Sequence, residues 1–246
     1  MLGQLGGQSP NTQLFKGDID TARVWDYGLN SGQVMALLKG ILLPPSANSG
    51  QFASKKPVSL LRFDAGSGLA VSNDGIGGYS GKLSGGVSWG QGKYGSGVVF
   101  SKKSGEQVSL VNSGSVNLTQ SLSVGGWFNA GSVSGVQWLA SKFGTFDLGV
   151  KDGRLKVRLT QAGGSLVELE STATILAGQF THGAVTFDGQ TARLYVNGRL
   201  SGSIASGALN TSSSLIVLGL LNTATPDKVG QMFESLKNPN FKALFL

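Results

Sequence analysis

Residues 181–200, THGAVTFDGQTARLYVNGRL, constrain this chain more than any other stretch. Ala184, Thr186, Arg193 and Tyr195 alternate with Val185, Phe187, Leu194 and Val196, the two-residue period of strands with one dry face. Asp188-Gly189 and Asn197-Gly198 tolerate positive φ and can reverse a chain within two residues. The spacing therefore predicts two hairpins sharing a central strand, which means antiparallel sheet. Composition agrees: 39 glycines, six prolines and 13% charged residues beside 40% hydrophobic ones describe a compact, turn-rich β protein and not a disordered chain. At 246 residues there is room for one large all-β domain with appendages.

The hairpins place strands at 180–187, 192–196 and 199–205, and further strands are expected at 107–111, 122–129, 136–142, 145–151, 154–161, 166–171 and 215–220. Asp152-Gly153 and Gly163-Gly164 supply the turns that make 145–171 a meander. Asn30 and Ser31 are N-cap candidates, and Val34, Leu37 and Leu38 recur at helical spacing until Gly40, so a short amphipathic helix is expected over 31–39. Residues 41–56 read as a linker, polar and without periodicity after Pro44-Pro45. The tail, 222–246, breaks the strand pattern and holds at most a helical turn or two before Asn238-Pro239.

His182, the Asp188-Gly189 turn and the LYVNG run at 194–198 resemble the late core of laminin-G-like domains, with Phe180 where a Trp usually precedes the His. Phe15, Gly17, Ile19, Asp20, Arg23, Val24 and Trp25 resemble the last strand of such domains, F-x-G-x-I-D-x-x-R-V-W. Residues 58–64 resemble their first strand, and Trp89, Gly92, Tyr94, Gly95, Gly97 and Phe100 agree with their opening third. The resemblance implies an all-β fold, a two-sheet antiparallel jelly-roll sandwich of the concanavalin A-like kind, with one short N-terminal helix. Residues 1–40 then supply the last strand and helix of a laminin-G-like domain, while 57–221 form a sandwich lacking its own last strand. Met1-Leu2-Gly3-Gln4-Leu5 also echoes Val217-Leu218-Gly219-Leu220-Leu221. Self-closure within one chain, strand donation to a neighbour, and a fragment of a tandem array all account for this order. Self-closure is favoured, because an open sandwich edge exposes unpaired N–H and C=O groups.

Chemistry-bearing residues are few. The absence of cysteine excludes disulfides and thiolate metal sites, and the lone His182 excludes a histidine metal cluster. Glu168 and Glu170 fall on one face of a strand with Cα atoms about 7 Å apart, whereas a retaining glycosidase needs carboxyl groups about 5 Å apart. The E-x-D-x-x-E motif of related glycosidases is missing, so two solvated acids are the expected reading. Calcium is the candidate cofactor, with Asn73 and Asp74 as oxygen donors in a loop where related domains place an Asp; that position aligns with Ser72 here. Tyr79, Trp89 and Tyr94 lie in or beside loops and are the candidate sugar-stacking residues, Trp89 and Tyr94 also matching family positions that pack inward.

The formal charge of +7 favours anionic partners, but the basic residues are thinly spread without aromatic interleaving, so nucleic acid is not expected. No apolar run is long enough for membrane insertion, and residues 1–20 lack the design of a secretory signal. The reading is a non-catalytic extracellular or cell-surface recognition or adhesion module with a glycan or cell-surface polymer as partner. The rival is a self-assembling structural subunit, with self-association through residues 1–40; a glycoside hydrolase ranks third.

Overall fold

The computed structural model describes residues 13–38 and 57–220, apart from 112 and 117. The expectations for residues 1–12, the linker and the tail lie outside these. In chain order the elements are β1 (Lys16–Trp25), α1 (Ser31–Leu38), β2 (Ser59–Leu61), β3 (Ala70–Val71), β4 (Gly81–Ser84) and β5 (Ser88–Gln91). Then come β6 (Ser96–Ser101), β7 (Gln107–Leu110), β8 (Leu122–Ala130), β9 (Val136–Lys142), β10 (Phe146–Lys151) and β11 (Arg154–Thr160). The last are β12 (Leu166–Thr174), β13 (Phe180–Phe187), β14 (Thr191–Val196), β15 (Arg199–Ala205) and β16 (Ile216–Leu218).

They form two eight-stranded antiparallel sheets. Sheet I runs β15-β14-β13-β8-β1-β6-β5 with β2 also on β1, and sheet II runs β12-β11-β10-β9-β16-β7-β4-β3. The hairpin of residues 181–200 is the β13–β14–β15 edge of sheet I. Its turns follow from local chemistry. Asn197 and Gly198 both take positive φ, 48° and 76°, as a two-residue primed turn demands. The Asp188 turn is longer than two residues, because the Asp188 carboxylate caps it by accepting the N–H groups of Gln190 and Thr191. Strands β3 to β6, in the glycine-rich stretch, were not assigned from sequence. They are two to six residues long, too short for a period to declare itself.

The strand from the N-terminal segment lies in the middle of sheet I. β1 pairs with β8 on one side and with β6 and β2 on the other, all within the chain. Ile19 faces Phe128 and Val98 across these ladders, and all three are buried between the sheets. Gly17 has φ 143°, and a Cβ there would lie 2.0 Å from the Asn129 carbonyl oxygen, so only glycine fits.

β1 contains one extra residue relative to β8: Asp20 pairs with Trp127 and Arg23 with Gly125, three steps against two. This is a β-bulge, with Thr21 at φ 51°. It reverses the facing of everything after it. Ile19 and Val24, five apart, both reach the core, while Asp20, Arg23 and Trp25 all share the outer face.

Helix α1 starts with a reciprocal capping box: the Gln33 N–H donates to the Asn30 side-chain oxygen at 2.9 Å, and the Asn30 N–H to the Gln33 oxygen at 2.9 Å. Val34 and Leu37 pack with Tyr27 and Leu29 onto Trp25, Ala184 and Tyr195, a second apolar cluster on the outer face of sheet I. At the far end of the sandwich the buried Lys142 ammonium donates to the carbonyls of Ser113, Gly114 and Ser214.

If β1 holds sheet I together, truncating its core residue must be costly. Ile19→Ala is expected to lose about 2–5 kcal/mol of unfolding free energy in urea titration. Leu200→Ala on β15, 55% exposed, is expected to stay within about 0.5 kcal/mol.

Candidate functional site

The outer face of sheet I can be read row by row from the strand register. One row is Trp25, Ser123, Thr186 and Arg193; the next is Arg23, Gly125, Ala184 and Tyr195; the third is Asp20, Trp127, His182 and Asn197. α1 covers the Trp25 and Tyr195 side, where Tyr195 is fully buried. The middle row is made shallow by Gly125 and Ala184. A Cβ on Gly125 would lie 2.8 Å from that of Ala184, so the close approach of β8 and β13 requires glycine there. Arg23 lies in this trough.

The third row carries the aromatic residues. Trp127 meets His182 edge to face at 5.5 Å between ring centres and Tyr94 at 5.9 Å, and the Lys93 ammonium stands 5.0 Å above the Trp127 ring. Asp20 fixes the Lys93-Tyr94 turn. One carboxylate oxygen accepts the Tyr94 N–H at 2.9 Å, and the other accepts the Thr21 hydroxyl at 2.8 Å. Burial pushes the Asp20 carboxyl up, and the hydrogen bonds oppose it. Trp127 is buried, whereas Tyr94 is 53% exposed. Tyr94 is thus a solvent-facing ring held at a fixed angle.

Two cavities meet at Arg23, Val124 and Gly125. One, of about 40 Å³, extends past Gly126 and Gly183 toward Leu148 and Leu218 of sheet II. The other, of about 10 Å³, lies between Leu37 of α1, His182 and Ala184. His182 is buried on an inner strand, and its Nδ1 has no hydrogen-bond partner among the described residues. Burial, with the Arg23 charge adding to it, lowers its pKa to about 4.

Of the three aromatic residues singled out from sequence, Tyr94 stands on this face. Trp89 faces the core side, opposite Val98, and its indole N–H donates to the Gly68 carbonyl at 2.7 Å. Tyr79 also packs against the core. The three form no common platform. The register of β5 on β6 places Trp89 opposite Val98, and in the sequence its inward facing was signalled only by the family position it matches. Trp127, Arg23 and Asp20 come together only through the sheet order and the bulge.

The Asn73 side-chain oxygen accepts the N–H groups of Leu60 and Gly75, and Asp74 is paired with Arg62. A divalent cation, which wants six to eight oxygens, would have to displace both sets of partners, so the loop as folded does not fit calcium. Glu168 and Glu170 share a face of sheet II, where Lys156 bridges them and Lys151 binds Glu170 at 2.9 Å. The Lys151 hydrogen bond holds the Glu170 carboxyl low, the opposite of what a general acid requires.

Two face-to-face antiparallel sheets, one with a polar and aromatic outer face, define a lectin-type jelly-roll sandwich. The sequence profile of the Concanavalin A-like lectin/glucanases superfamily matches residues 102–234, just over half of the chain, and the chain belongs to this superfamily. No curated protein matches it. Among solved structures it is similar to the binding domain of Paraclostridial Mosquitocidal Protein 1, at 15% identity and a TM-score of 0.52. That match covers 63% of this chain and 42% of the other, so this chain spans under half of that relative. It is also similar to domain 4 of AbnA, a GH43 extracellular arabinanase from Geobacillus stearothermophilus solved with arabinotriose. There the identity is 20%, the TM-score 0.50, and 63% of this chain and 80% of the other are covered. At these identities the likeness is one of fold. Among the described residues, no helix is long and apolar enough to cross a membrane.

The buried imidazole makes acid sensitivity testable. His182 is the only histidine, and its pKa is about 4 in the fold against an ordinary 6.5. Below pH 6.5 the unfolded chain takes up a proton that the fold refuses, so stability falls as pH drops from about 6.5 to about 4, by up to roughly 3 kcal/mol. The raised carboxyls of Asp18, Asp20 and Asp147 act with the opposite sign, so the comparison with His182→Gln isolates the histidine. Urea unfolding at pH 7, 5.5 and 4 is expected to show a smaller acid loss in His182→Gln than in the wild type.

Proposed function

We propose that the protein is a non-catalytic recognition module of the cell surface or extracellular space that binds glycans on the outer face of sheet I. The observation that carries this reading is Tyr94, an exposed ring on a turn whose backbone Asp20 holds, meeting Trp127 edge to face beside Lys93. A pyranose or furanose offers an apolar C–H face to such a ring while its hydroxyls meet nearby donors and acceptors. Rigid placement lowers the ordering cost of binding. The arabinotriose held by the AbnA domain and the binding role named for the mosquitocidal domain support the same class. The carboxylates of Glu168 and Glu170 are tied to lysines, which favours binding over hydrolysis.

A glycan array followed by titration calorimetry on the strongest hit tests the reading. Tyr94→Ala is expected to weaken that hit about tenfold or more, and Tyr94→Trp to retain it. Retention of no glycan at any printed density would remove the proposal.

A further inference from the structure

Resting on the glycan reading above, we infer that the trough over Gly125 is a subsite for the carboxylate of an acidic sugar, with Arg23 as the residue that selects it. The strand register places Arg23 opposite Gly125, next to Ala184, the two small residues of its row. It is half-buried, and among the described residues its guanidinium makes no ion pair and no hydrogen bond. Among the other arginines, Arg62, Arg158 and Arg193 each bind a carboxylate and Arg154 donates to two backbone carbonyls, while Arg199, which makes neither contact among the described residues, is exposed to water. Asp20 is the carboxylate whose charge Arg23 feels, but it lies beyond ion-pair distance and is committed to Thr21 and Tyr94.

A desolvated guanidinium without its anion is a poor end state for folding alone. Its planar fork matches a carboxylate through two parallel hydrogen bonds. The neighbours fit the same ligand. Lys93 stands on the rim without a carboxylate partner among the described residues, and Arg62 is near enough to add positive potential. The His182 Nδ1, without a partner among the described residues, belongs to a side chain that lines the adjoining cavity with Arg23. Tyr94 would carry the ring, and Arg23 the charge.

The test compares tri-galacturonate with its methyl ester, which keeps the sugar and removes the charge, beside an array of uronate, sialylated, sulfated and neutral glycans. Wild type is expected to bind the free acid about tenfold tighter than the ester, with a preference that shrinks as salt is raised. Arg23→Met, which keeps the apolar stem, is expected to melt like wild type and bring the acid-to-ester ratio near one. Arg23→Lys is expected to restore part of that ratio. Equal binding of acid and ester, or a ratio that survives Arg23→Met, would overturn the inference. Neutral glycans bound in a Tyr94-dependent way with no acidic preference would overturn it too, while leaving the glycan reading intact. Binding confined to sulfated glycans would overturn the carboxylate assignment, and silence across the array would remove both proposals.

Discussion

The ladder between β1 and β8 is the interaction on which the rest of the molecule depends. Without β1, sheet I separates into β15-β14-β13-β8 and β6-β5, each with an open edge, and the core loses Ile19 and Val24. The pairing joins residues about a hundred positions apart, so the chain must close a long loop before those hydrogen bonds form. The bulge within that ladder does a second job. In a regular strand Asp20 and Arg23 would point to opposite faces; the extra residue turns both outward, one to hold the Lys93-Tyr94 turn and one to lie over Gly125. Fold closure and binding face therefore come from the same ten residues.

This explains which parts could be read in advance. Strands with a clean period, 136–142, 180–187 and 199–205, stand where the spacing puts them, and the helix follows the Asn30 cap and the Val34, Leu37 spacing. Their cues are local, and the tertiary structure does not contradict them. β1 was legible as extended and apolar, but Ile19 and Val24 cannot share a face at period two, so its side-chain facing depended on a bulge with no short-range signal. Trp127 sits in GGWFN, where alternation marks it only as a neighbour of Phe128. That it meets Tyr94 and His182 is a product of sheet order. Trp89 was weighed as a ligand because it is aromatic and near a loop, and its register against Val98 turns it toward the core.

The helix divides the outer face into two regimes. Under α1 the face is dry, and the Tyr195 hydroxyl reaches the Ser31 hydroxyl at 3.3 Å, so its polar atom is met within the protein. Beyond the helix the same sheet carries a buried His182 Nδ1 with no hydrogen-bond partner among the described residues, and a half-buried Arg23 guanidinium with no ion pair among them. Leaving a buried group unpaired costs about 1–3 kcal/mol, a large share of the stability of any domain. Replacing His182 by an apolar residue would relieve that cost if packing against Trp127 were its whole role. An imidazole and a guanidinium kept beside the same trough, under a turn pinned by a buried carboxylate, are the arrangement expected when the missing partner arrives from solution.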